Sequence, residues 1–94
     1  MTAKAKSEAE AEEMLRGAIE EVMPVIGEWV YGIDVGSLEE VVSALLREKG
    51  RTLAAAESCT GGLIAKRMTD LPGASQVFMG GVVSYTNFVK ANVL

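Results

Sequence analysis

A mixed α/β fold built on a parallel strand pair is what this 94-residue sequence predicts, on three observations. Thr52 to Ala56 is a nearly uninterrupted apolar run of strand length, followed by Glu57-Ser58-Cys59-Thr60-Gly61-Gly62 and a helix-like stretch from Leu63 to Thr69. Gly81 to Tyr85 reads as a second strand. The connection between the two is roughly 20 residues, long enough for a helical crossover, and such crossovers join parallel strands with a right-handed sense.

The elements follow in order. Ser7 to Met23 reads as a helix, with Ser7 and Glu10 as a capping box and Met14, Leu15, Ala18, Ile19 and Val22 as one apolar stripe; Pro24 ends or kinks it. Trp29 to Tyr31 reads as a short strand closed by Gly32, with Trp29 in a packing role. A second helix is expected over about 37–49, because Ser37 and Glu40 form another capping box, Leu38, Val41, Val42 and Leu45 recur at helical spacing, and Gly50 stands where a C-terminal cap belongs. After the first strand and its helix, Pro72-Gly73 turns the chain, Ala74 to Phe78 is a short helical or irregular piece, and Asn87 caps a last helix after the second strand.

Composition removes whole classes of function. With 49% hydrophobic residues the chain is too apolar for a disordered tail, yet runs such as Leu53 to Ala56 fall far short of the ~20 residues that span a bilayer. The N-terminus is rich in Ala and Glu rather than shaped as a secretory signal, so a cytoplasmic protein without membrane attachment is expected. Zero histidine rules out a Ser-His-Asp triad within the chain, and one cysteine, Cys59, rules out a thiolate zinc cluster. Acid–base chemistry must therefore fall to Lys, Tyr, Asp or Glu. The formal charge is −4, with no basic run or aromatic-basic interleaving to suit a nucleic acid. Residues 1–23 and 24–50 each net −3, whereas 51–94 net +2, so an anionic small molecule is better received by the second half.

Parallel strands place the ends of both on one edge, where ligands of open α/β sheets bind. Ser58 follows the first strand, and Tyr85 and Lys90 lie at and beyond the end of the second, so three candidate catalytic groups meet there by topology. Gly61-Gly62 opens a helix whose unpaired N–H groups suit a phosphate or a developing oxyanion. Other roles fit the same residues: Ser58 and Thr60 as helix caps, Cys59 as a small buried hydrophobe, Tyr85 as a packed aromatic and Lys90 as a solvated surface lysine. The chain lacks G-x-G-x-x-G, a P-loop lysine and the flanking glycines of G-x-S-x-G.

Three longer strings carry a more specific signal. Ala56-Glu57-Ser58-Cys59-Thr60-Gly61-Gly62, then Thr69-Asp70-Leu71-Pro72-Gly73-Ala74-Ser75, then Gly80-Gly81-Val82-Val83-Ser84-Tyr85-Thr86-Asn87 with Lys90, resemble the CinA C-terminal domain, the nicotinamide-nucleotide amidase family. The likeness covers about Ser37 to Leu94; residues 1–36 read as a helix and lead-in segment, similar to what precedes this domain in longer, two-domain members. The resemblance implies the N-terminal part of a three-layer α/β/α sandwich and hydrolysis of the carboxamide of nicotinamide mononucleotide to nicotinate mononucleotide and ammonia. It implies Ser58 as nucleophile, Lys90 as base and Tyr85 as an assisting phenol, with no metal and no cofactor. Thr60, Gly61 and Gly62 are the candidate substrate contacts. Thr86 stands where the family often has Ser, and Phe88 where a polar or acidic residue is usual.

The family's domain continues beyond the position of Leu94, so the sequence reads as a fragment whose activity in isolation is doubtful. A homo-oligomer is expected, because a small sheet with an uncovered face and edge invites self-association. Two other functions remain open on the residues: a nucleotide- or phosphate-binding module without chemistry, which would not need Lys90, and a structural assembly piece built on the N-terminal helix. A lysine base must be neutral, and free lysine titrates near ~10.4, so the role demands desolvation or neighbouring cations such as Lys66 or Arg67.

Overall fold

Ser7 starts the first helix, α1 (Glu8–Ile26), by accepting the Glu10 backbone N–H at 3.2 Å. The expected box is only half formed, because the Glu10 carboxylate reaches back to the Lys6 N–H instead of to Ser7. Pro24 does not end the helix; α1 continues through it to Ile26, and a single 3-10 turn, Gly27–Trp29, replaces the strand expected at Trp29 to Tyr31. That segment has no partner to pair with, and Trp29 is 78% exposed rather than packed. No residue of α1 is fully buried. The computed structural model describes residues 1–94, which form two compact units, Met1–Ile33 and Asp34–Leu94. No helix is long and apolar enough to cross a membrane.

The second unit opens with α2 (Leu38–Glu48), where both halves of the capping box are present: Ser37 Oγ accepts the Glu40 N–H, and the Glu40 carboxylate accepts the Ser37 N–H at 2.7 Å. Lys49 is the C-cap and Gly50, at φ 58°, turns the chain away. It then enters β1 (Leu53–Glu57), crosses through α3 (Leu63–Thr69), a turn at Leu71–Gly73 and a 3-10 turn Ala74–Gln76, and returns as β2 (Phe78–Val83). A final helix, α4 (Asn87–Asn92), is capped by the Thr86 hydroxyl, one residue earlier than the Asn87 cap expected.

β1 and β2 form a two-stranded parallel sheet running in register from Ala54↔Gly80 to Glu57↔Val83, with a shift between Leu53 and Ala54 that leaves Met79 as the extra residue. The fold is thus mixed α/β, as the crossover length predicted. β2 begins three residues earlier than the strand read at Gly81 to Tyr85 and stops before Tyr85. Gly81 is required here by proximity: a Cβ on it would sit 3.0 Å from the Ala55 carbonyl oxygen and 3.7 Å from Ala65 Cβ, so α3 crosses the sheet closely at this point.

The core lies beneath α3 and the turn that follows, where Met68, Ala74 and Val77 are buried. Arg47 ties the end of α2 to that turn, donating to Gln76 Oε1 at 3.1 Å and the Gly73 carbonyl at 3.3 Å. Arg67 of α3 pairs with Glu39 of α2. The other sheet face, with Ala54, Ala56, Met79 and Val82, borders an open apolar hollow of about 370 Å³ that Leu94 also lines.

Candidate active site

The candidate site lies where the two parallel strands end side by side. Glu57 closes β1 opposite Val83 of β2, and its carbonyl oxygen accepts both the Ser84 N–H at 2.7 Å and the Ser84 Oγ–H at 3.2 Å. Ser84 is 3% exposed, so this pair of hydrogen bonds between the strand ends is shielded from water. Ser58 follows at once, half-buried, and its carbonyl accepts the Gly61 N–H at 3.1 Å to close a tight turn.

That turn depends on two glycines. Gly61 has φ 64° and Gly62 φ 102°, a region that other residues enter only under strain. Gly62 is also the residue before the first turn of α3, with no side chain able to cap it, and an added Cβ there would lie 3.2 Å from Val83 Cγ2.

The cap comes from elsewhere. The Glu57 carboxylate, on a residue 4% exposed, accepts the Ile64 N–H at 2.7 Å, the Ala65 N–H at 2.9 Å and the Thr60 hydroxyl at 2.9 Å. Burial pushes this carboxyl up, but the Ala65 and Ile64 N–H groups and the Thr60 hydroxyl together hold it below its ordinary value. Neither Ser58 nor Thr60 caps α3, which corrects that reading of both; Thr60 instead orients the carboxylate that does. Two of the donors at the Gly61-Gly62 helix start, the Ile64 and Ala65 N–H groups, serve the Glu57 carboxylate.

The remaining candidates stand nearby in the topology but outside this network. Tyr85 is two residues beyond β2 and 67% exposed, not packed as an aromatic of the strand. Lys90, in the last turn of α4, is exposed. Cys59 is exposed as well, correcting its reading as a buried hydrophobe. Lys66 pairs with Asp70 one turn further along α3, and Arg67 with Glu39 of α2. No group of three or more His, Cys, Asp or Glu residues is arranged to hold a metal ion. The sequence reading missed Glu57 and Ser84 as organising residues. Glu57 stands at the end of an apolar strand and seven positions before a helix N–H it serves, and nothing local marks so distant a cap.

A crossover whose first turn presents a serine at the carboxyl edge of parallel strands makes this an α/β domain with its candidate site at the strand ends. Residues 35–94 match the family model of the CinA C-terminal domain, and the chain belongs to that family. It is 50% identical over all 94 residues to a CinA-like protein of Dictyoglomus turgidum, 48% identical to one of Desulfovibrio desulfuricans and 46% identical to one of Nostoc sp., again over the whole chain. The chain spans 23% of the first relative's length and 22% of the other two.

Proposed function

We propose that this segment supplies the nucleophile and base of an amidase that hydrolyses the carboxamide of nicotinamide mononucleotide. The observation that carries the reading is the Ser58 turn: its hydroxyl lies at the carboxyl edge of the parallel sheet and is not used to cap α3, because Glu57 caps it instead. Family membership and the Tyr85 and Lys90 positions support the same reading.

In this reaction Ser58 Oγ attacks the carboxamide carbon while its proton passes to the neutral amine of Lys90. The tetrahedral intermediate collapses with cleavage of the C–N bond, the leaving nitrogen takes a proton relayed through Tyr85 and Lys90, and ammonia departs. Water then hydrolyses the ester on Ser58 to release nicotinate mononucleotide and restore the hydroxyl. Lys90 is exposed, so its desolvation falls to bound substrate or to further chain of the full-length protein. Thr60, Gly61 and Gly62 line the approach to the nucleophile, and a Cβ at Gly61 would meet nothing within 4 Å, which leaves that side of the turn open.

Ammonia release from nicotinamide mononucleotide by the full-length protein tests this. Ser58→Ala abolishes turnover while Cys59→Ala keeps most of it; equal loss in both variants would reduce the turn to a packing element.

A further inference from the structure

A nucleophile carried on a turn is effective only if the turn is fixed against the rest of the site, since a misplacement of about 1 Å costs on the order of 100-fold in rate. Ser58 has no side-chain partner of its own to fix it, and the residue before it does so from both directions. The Glu57 carbonyl is held to the end of β2 by the backbone N–H and hydroxyl of Ser84. Its carboxylate is held to the far side of the same turn by Thr60, Ile64 and Ala65. One buried residue thus clamps the strand end, the loop and the start of α3 into a single unit, and half-buried Ser58 is the next residue along the loop so held.

We propose that Glu57 is a positioning residue for Ser58: its carboxylate sets the attack geometry of the hydroxyl without touching the substrate. The proposal rests on the amidase reading only in taking Ser58 as the nucleophile. Glutamine at this position keeps the shape but turns one acceptor oxygen into an N–H₂ group, which meets donors and cannot accept from them. Aspartate keeps the charge but is one methylene too short to reach both helix N–H groups with the same geometry.

The test uses the full-length protein and two readouts. The first is the rate at which an alkyl fluorophosphonate labels Ser58, followed by mass spectrometry: the Oγ–P bond forms, fluoride leaves, and the serine proton passes to solvent. The second is kcat and KM for ammonia release from nicotinamide mononucleotide. Glu57→Gln slows labelling and lowers kcat by about 10- to 100-fold while KM stays within about threefold, the pattern of a lost transition-state geometry rather than lost binding. Thr60→Val, which removes one donor and leaves both helix N–H contacts, slows labelling by a smaller factor; Glu57→Asp recovers part of the rate; Glu48→Gln, on the exposed face of α2, changes nothing. If Glu57→Gln fails to fold by circular dichroism, Thr60→Val carries the test. Folded Glu57→Gln labelling at the wild-type rate, or a loss confined to KM, overturns the proposal, as does a wild-type Ser58 that the reagent never labels. Wild-type labelling with a Glu57→Gln deficit but no ammonia release sinks the substrate assignment alone and leaves the positioning role standing.

Discussion

Two helices of the second unit begin in different ways, and the difference separates structure from function in this chain. α2 is started by its own neighbours: Ser37 and Glu40, three residues apart, satisfy each other's backbone N–H groups. α3 is started by Glu57, seven and eight residues before the donors it serves and on the preceding strand. A local box costs nothing beyond its own turn and does nothing beyond starting a helix. A remote carboxylate must bring strand, loop and helix together, and the loop it gathers holds Ser58. The turn reaches that arrangement through two successive left-handed residues, Gly61 and Gly62, a path open to glycine and strained for any other residue.

The contrast can be broken at either helix. The largest effect is expected from Gly62→Ala, which places a side chain at φ 102° and 3.2 Å from Val83 Cγ2. Strain of this kind costs about 1–3 kcal/mol, and denaturant melts will show the loss together with faster amide exchange at Ile64 and Ala65. Ser37→Ala comes next, removing the side-chain acceptor of a local cap for a loss of about 1 kcal/mol. Its effect stays within α2: exchange at Glu40 rises, and labelling of Ser58 does not change.

Acid gives the smallest and most selective effect. Glu57 is held below its ordinary value, so it stabilises the fold fully above the unfolded glutamate value, and that contribution is lost as pH falls through the lower folded value. Glu39 is also held low, chiefly by the hydrogen bond from Arg67. Thermal melts should therefore fall progressively below about pH 4.3, the ordinary glutamate value, and more shallowly in Glu57→Gln, where only the Glu39 contribution remains. An identical slope in both proteins would remove Glu57 from the account.

What could be read in the sequence follows the same local and remote division. The Ser37 box, the apolar run of β1, the parallel crossover and the placing of Ser58, Tyr85 and Lys90 beyond the strand ends all depend on short patterns or on connection length, and the fold follows them. β2 was read late because the Met79-Gly80-Gly81 stretch carries the register shift and little strand propensity, while Tyr85 drew the reading past the true end. Trp29 and Tyr31 have strand-forming side chains but no neighbouring strand, and propensity without a partner makes no sheet. The role of Glu57 was illegible for a similar reason: a carboxylate at the end of a strand looks like any polar boundary until the left-handed glycines fold the helix start back onto it.

The central claim is that Ser58 carries the reaction on the turn Glu57 holds, and trapping the covalent intermediate tests it most directly. Full-length protein turning over nicotinamide mononucleotide is quenched in acid, digested and analysed by mass spectrometry. The account predicts that the peptide containing Ser58 carries the nicotinate mononucleotide acyl group on its hydroxyl oxygen, and that Ser58→Ala carries none. Turnover with the adduct on Cys59, or with full ammonia release from Ser58→Ala, would contradict it.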